Sequence, residues 1–131
     1  MTQCDHDSPY PCLKGTDFTW FAVDQDGCIG VFTTAGEGTV PQSVIENSAA
    51  HTAVAETLEL PNWGSEHIWS DYAKLGFFVF DWDLEIDGYV RMSVPLTAAD
   101  PTLVSRINAI TRVPRQPFTF SSWLDVADQT A

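Results

Sequence analysis

A hairpin can be read directly from residues 17–38, and it limits what the rest of the chain can become. Two runs rich in aromatic and β-branched residues, Phe18-Thr-Trp-Phe-Ala-Val23 and Ile29-Gly-Val-Phe-Thr33, flank Gln25-Asp26-Gly27. Such residues favour strands, and a three-residue loop with Gly in the left-handed position is a standard hairpin connection. That loop sets Asp24 opposite Cys28, Val23 opposite Ile29, Phe21 opposite Val31 and Trp20 opposite Phe32. A one-residue slip would put the aromatic rings on the wrong faces. Asp24-Gln-Asp-Gly27 also opens like part of a calcium loop. Position twelve of such a loop must be Glu, and here it is Ala35, so no metal is expected.

Residues 77–94 repeat the device. With Ile86-Asp87-Gly88 as a three-residue loop, Glu85 faces Tyr89, Leu84 faces Val90, Asp83 faces Arg91, Trp82 faces Met92 and Phe80 faces Val94. This predicts positive φ at Gly27 and Gly88. It also predicts one apolar face, Phe78, Phe80, Trp82, Leu84, Val90, Met92 and Val94, backed by a solvated row of Asp81, Asp83 and Glu85. Trp20 or Phe21, Phe78 or Phe80, Trp82 and Ile107 are expected to share a single core.

Three helices are expected between and after the hairpins. The first spans about Pro41 to Leu58, with a capping-box pattern at Ser43 and Glu46 and a stripe of Val44, Ser48, His51, Ala55 and Leu58. The second runs from about Ser65 to Leu75 and ends at Gly76, where a left-handed cap is wanted. The third starts with Asp100 as N-cap and Pro101 as first residue, shows Leu103, Val104, Ile107 and Ile110 on one stripe, and stops before Pro114. Phe118 to Leu124 alternates like a last strand. The order is ββααββαβ. The expectation is one α+β domain over residues 17–124, with a mostly antiparallel sheet, helices on one face, an irregular lead-in at 1–16 and a tail at 125–131.

Composition narrows the function classes. The chain of 131 residues is 44% hydrophobic and 12% aromatic, enough for a full core. Its net charge is −12. Residues 1–66 hold ten acids against Lys14 alone, a charge of −9. Six Lys and Arg in total are too few to neutralise a nucleic-acid backbone. A negative field suits solubility or fast capture of a basic protein partner. No apolar run of about 18 residues predicts a membrane span. The polar, acidic start does not read as a secretory signal, so a cytoplasmic protein is expected.

Several residues invite sharper readings. Cys4, Cys12 and Cys28 are odd in number, which argues against a disulfide framework. Cys4, His6 and Cys12 resemble a zinc-site fragment but lack a second pair at zinc spacing. Cys28 reads as a small buried residue, and His51 as a hydrogen-bonded boundary residue without a Ser or Cys partner. His67 and Asp71, four apart on a helix, read as a surface pair rather than metal ligands. Thr34 to Gly38 is a Gly-containing loop, but Glu37 repels phosphate; it reads as a mobile connector that suits a basic side chain. Asp81, Asp83 and Glu85 could be read as acid/base groups, but carboxylates alternating on a strand are more simply a solvated face. No catalytic residue, metal site or cofactor is assigned.

The stretches Trp20-Phe-Ala-Val-Asp-Gln-Asp-Gly-Cys-Ile-Gly-Val-Phe-Thr-Thr-Ala-Gly36 and Tyr72-Ala-Lys-Leu-Gly-Phe-Phe-Val-Phe-Asp81 resemble a pattern in small uncharacterised bacterial proteins, some similar to immunity proteins that neutralise toxins of neighbouring cells. The resemblance implies a non-enzymatic binding protein whose acidic surface, with Glu37, Asp81, Asp83 and Glu85, covers a basic toxin. It carries over no catalytic residue. Two alternatives stand beside it. One is a small enzyme using Asp81, Asp83 or Asp24 with His51; the other is a subunit that oligomerises through an apolar patch.

Overall fold

The computed structural model describes residues 12–65 and 67–123. Strands β1 (Thr19–Val23), β2 (Ile29–Thr33), β3 (Phe78–Asp83) and β4 (Gly88–Ser93) form one sheet in the order β1-β2-β3-β4. β1 and β2 are antiparallel, β3 and β4 are antiparallel, and β2 runs parallel to β3. Helices α1 (Gln42–Glu46), α2 (Ser48–Ala55) and α3 (Ile68–Lys74) make the crossover between the parallel strands. Helix α4 (Pro101–Asn108) follows the sheet. The fold is α+β.

The first hairpin has the register its sequence dictates: Trp20 opposite Phe32, Phe21 opposite Val31 and Val23 opposite Ile29. Gly27 takes φ +82°, and the Asp24 N–H donates to the Cys28 carbonyl at 2.9 Å. Asp24 adds what spacing alone does not show. Its Oδ1 accepts the N–H groups of Asp26 and Cys28, each at 2.9 Å.

The second hairpin departs from the expected register. Its loop is Leu84–Asp87, with Asp83 opposite Gly88, Trp82 opposite Tyr89 and Phe80 opposite Arg91. Asp87, not Gly88, has positive φ (59°), a conformation Asp tolerates. Asp83 sets this loop by accepting the N–H groups of Glu85 at 2.8 Å and Ile86 at 3.1 Å. The offset from the expected pairing is odd, so the faces of β4 exchange. Tyr89 packs edge-on against Trp82, with ring centroids 5.0 Å apart, while Leu84 and Val94 are exposed. The reward is polar as well as aromatic: the Tyr89 hydroxyl accepts from Trp20 Nε1 and donates to the Thr39 carbonyl.

Both faces of the sheet are covered, so there are two apolar layers and not one. On one face Trp20, Phe32, Phe78, Phe80, Trp82 and Tyr89 meet Phe120 and Trp123. On the other, Phe21, Val31 and Val79 meet Val54, Tyr72 and Ile107 from the helices and Ile110 just after α4. Ile107 therefore lies across the sheet from Trp20, Phe80 and Trp82. The two-sided demand also explains why the expected helix over 41–58 is two helices. Val44 of α1 joins the first layer and Val54 of α2 the second. The chain bends between them at Asn47, whose side chain donates to the Ser43 carbonyl at 2.9 Å. Ser43 lies within α1, and no side chain caps its start, so the capping box is not formed.

The expected last strand is instead a 3₁₀ turn at Phe120–Ser122. Strand alternation would send Phe120 and Trp123 to opposite faces, whereas a three-residue turn brings both into the aromatic layer. Gly30 leaves the space that the Phe120 ring fills; a Cβ there would sit 2.8 Å from it. Extended pairing occurs earlier, where Arg115 forms a parallel bridge beside Val23 of β1. Two other readings hold. The Asp100 side chain caps α4 by accepting the Thr102 N–H at 2.8 Å, and Gly76 takes φ +95° with no room for a Cβ against Ala99.

Phe80 stacks on Phe32 and touches Phe120 and Trp123. Phe80→Ala should cost about 3–5 kcal/mol and lower the thermal midpoint by roughly 10–20 °C in a melt followed by circular dichroism. An unchanged midpoint would mean that the aromatic layer is not a core.

Candidate functional site

Parallel pairing decides which loops meet. Because β2 and β3 run together from Gly30 opposite Phe78 to Thr33 opposite Asp81, the chain leaves both strands at one end of the sheet. β1 enters at that end, with Thr19 opposite Thr33. The segments 13–18, 34–38 and 84–87 therefore emerge together. They and the strand ends beside them carry Asp17, Glu37, Asp81, Asp83, Glu85 and Asp87, against Lys14. The four acids singled out from sequence, Glu37, Asp81, Asp83 and Glu85, thus share one end of the molecule. Among the described residues no base forms an ion pair with any of the six. Arg112 and Arg115 belong to the opposite end, where Arg115 lies against Val23 and Arg112 pairs with Glu46.

The six acids divide by task. Asp17 accepts the Ala35 N–H at 3.1 Å. Asp81 is half-buried and accepts from the Thr33 hydroxyl at 2.8 Å. Its carboxyl is pushed above the usual range by burial, with Asp17 and Asp83 adding repulsion and the Thr33 bond opposing both. Asp83 is occupied by the N–H groups of its own turn. So the row Asp81, Asp83, Glu85 is not a uniformly solvated face: the first two hold structure, and Glu85 is exposed. Glu37 and Asp87 are exposed as well. The loop carrying Glu37 is pinned rather than loose. Its backbone bonds to Thr34 at two points, and the Gly36 carbonyl accepts the Gly15 N–H at 2.8 Å.

Apolar side chains stand among these carboxylates. Leu84 is 67% exposed and Ile86 42%. Neither was marked as a site residue from sequence, nor were Asp17 and Asp87. The odd register moves Leu84 from the expected apolar face into the loop, and Asp17 needs the parallel pairing to be placed beside Asp81.

The residues considered for catalysis are otherwise engaged. Asp24 is buried and uses both oxygens, with Oδ2 accepting the Phe120 N–H at 2.9 Å. His51 is no boundary residue but fully buried, and its Nδ1 accepts the Phe21 N–H at 3.1 Å. Burial lowers its pKa to about 4, with no charged neighbour contributing. Asp71 gives both oxygens to Asn62, accepting from its N–H and its side-chain amide at 2.8 Å each, so it makes no pair with His67. Cys28 is exposed rather than buried, and local burial followed by Asp24 and Asp26 raises its thiol pKa, which disfavours a nucleophilic thiolate. Cys12 is disulfide-bonded, contrary to the reading of the odd cysteine count; Cys4 and His6 lie outside the described residues.

A cavity of about 10 Å³ lies among Trp20, Thr39, Tyr89, Gln116 and Trp123, room for about one water. Among the described residues no three His, Cys, Asp or Glu gather to hold a metal, and no helix is long and apolar enough to cross a membrane. No family model, curated protein or solved structure matches the chain.

His51 gives the fold a defined acid sensitivity. The unfolded chain binds a proton near pH 6.5, whereas the folded one resists until about pH 4. Stability is therefore complete above about pH 6.5 and falls as pH drops towards 4, where the loss levels off at about 3 kcal/mol. Urea unfolding at pH 7 and pH 4.5 should show this loss in wild type and a smaller one in His51→Gln, after subtraction of the carboxylate contribution common to both. Equal losses would show that His51 does not resist protonation.

Proposed function

We propose that the protein is a non-enzymatic binding protein whose acidic end covers a basic protein partner, in the manner of an immunity protein covering a toxin. The observation that carries this reading is the gathering of Glu37, Glu85 and Asp87, all exposed, around the exposed Leu84 and Ile86. Charge at the rim of an interface steers encounter, and apolar side chains at its centre hold the complex. The sequence resemblance to immunity-type proteins supports the same reading. The raised carboxyl of Asp81 is the one feature that favours carboxylate chemistry, but its bond from the Thr33 hydroxyl gives it a structural task.

Only the exposed acids should govern association. A variant with Glu37→Gln, Glu85→Gln and Asp87→Asn keeps every structural bond of Asp17, Asp81 and Asp83. Its stopped-flow association with the basic partner recovered from native cells should be several-fold slower than wild type at low salt. The difference should shrink as salt rises, because exposed charges are screened beyond about 8 Å at physiological ionic strength. A rate indifferent to both salt and substitution would leave the acidity as a solubility feature.

A further inference from the structure

Trp63 is 71% exposed, the most exposed large hydrophobic side chain among the described residues. The turn that carries it is held firmly. The Trp63 N–H donates to the Leu60 carbonyl at 3.1 Å, and the Ser65 N–H and hydroxyl both donate to the Asn62 carbonyl. Gly64 takes φ +86°, which lets the chain turn directly after the indole. Asn62 is gripped from beneath by Asp71, a carboxylate only 4% exposed that commits both oxygens to it. A buried carboxylate is costly unless its bonds are made, and here they are all spent on one residue next to an exposed Trp. A backbone already fixed in place loses little entropy on binding, and Trp is among the residue types most enriched at binding hot spots.

The surroundings indicate the chemistry of the partner. The Tyr72 hydroxyl next to Asp71 is raised in pKa by burial first, and then by the charges of Asp17 and Asp71. Asp17 and Asp83 act in the same way on Asp81. Gly76 turns the chain directly from α3 into β3, so α3 packs back along β3, and its first turn, from which Asp71 holds Asn62 and the Trp63 turn, lies towards the end where β3 leaves. Glu56 and Glu59, both exposed, precede it; His67 follows it, its N–H donating to the Ser65 hydroxyl, and Arg106 donates to the Thr57 hydroxyl. An exposed indole in a negative field attracts a cation to its face.

We propose that Trp63 is the aromatic anchor of the acidic surface, and that an arginine side chain of a basic polypeptide stacks on its indole. This rests on the function proposed above and names how that surface grips its partner. Arginine suits the place better than lysine, because a planar guanidinium stacks on the ring while donating to carboxylates beside it.

The test uses the whole protein and a fluorescein-labelled hexa-arginine peptide, followed by fluorescence anisotropy at two salt concentrations. Trp63→Ala should weaken binding about fivefold at both concentrations, and Trp63→Phe should weaken it less. The Glu37→Gln, Glu85→Gln, Asp87→Asn variant should lose affinity chiefly at low salt. The thermal midpoint of Trp63→Ala should match wild type, since the ring is exposed. Asp71→Asn, which loosens the turn without touching the indole, should also weaken binding. Equal affinity of Trp63→Ala and wild type, with the acid variant still weakened, would overturn the anchor and leave the acidic surface standing. Loss of affinity in neither variant, or no binding of the peptide at all, would overturn both.

Discussion

The parallel pairing of β2 with β3 is the constraint on which the rest of the structure depends. Two hairpins side by side need only tight turns within themselves, but joining them in parallel requires a long crossover. The chain supplies it with residues 34–77, which hold α1, α2 and α3. Helices α2 and α3 of the crossover cover one face of the sheet together with Ile107 of α4, while Val44 of α1 reaches the other face beside Phe120 and Trp123. It also fixes polarity. Had the hairpins met antiparallel, the loop with Glu37 and the turn with Glu85 would leave opposite ends of the sheet. Parallel pairing collects them, and a chain with 18 acids and six bases becomes a molecule with an acidic end.

Asp24 ties the second face into this frame. A buried carboxylate with both oxygens engaged joins the first hairpin turn to Phe120, ninety-six residues on in sequence. The aromatic layer that Phe120 completes is then closed by polar bonds at its rim. Trp123 Nε1 donates to the Tyr89 carbonyl, and the Arg91 guanidinium donates to the carbonyls of Phe120 and Ser121. The outer edge of β1 is shut by similar means. Val23 exchanges bonds with Pro114 and Gln116, and Phe21 donates to His51. A free strand edge is a template for aggregation, and here a buried imidazole serves as one of its stoppers. That use explains why His51 stays neutral in the core.

What could be read from sequence was local. The first hairpin, the cap at Asp100, the left-handed Gly76 and the α+β class each follow from residues a few positions apart. Side-chain matching around Ile86-Asp87-Gly88 favours Leu84 against Val90 over a two-residue turn, and does not reach the longer loop that sets Trp82 against Tyr89. The deciding partners of Tyr89, Trp20 and Thr39, lie 69 and 50 residues away. The last strand failed for a related reason. Alternation over 118–124 was real as a pattern, but the layer it serves needs Phe120 and Trp123 on one side. The acidic site was legible as residues and illegible as a place. Nothing in the spacing of Glu37 and Glu85 shows that their loops emerge together.

The arrangement has an electrostatic cost that bears on how the acidic end is used. Six carboxylates at one end repel one another, and the pKa of Asp81, raised first by burial, is raised further by Asp17 and Asp83. The structure offsets it unevenly. Asp17, Asp81 and Asp83 are each bonded to N–H or hydroxyl donors. Among the described residues Glu37, Glu85 and Asp87 have no such donors to their side chains. If solubility were the whole purpose, the charge could be spread over the surface at less repulsion. Concentration at one end instead makes a directed field, and the same field opposes docking of a second copy by that face. The oligomerising alternative is the weaker for it, because the exposed Leu84 and Ile86 sit where two copies would repel most. A partner of opposite sign removes the repulsion and covers the apolar side chains in one step.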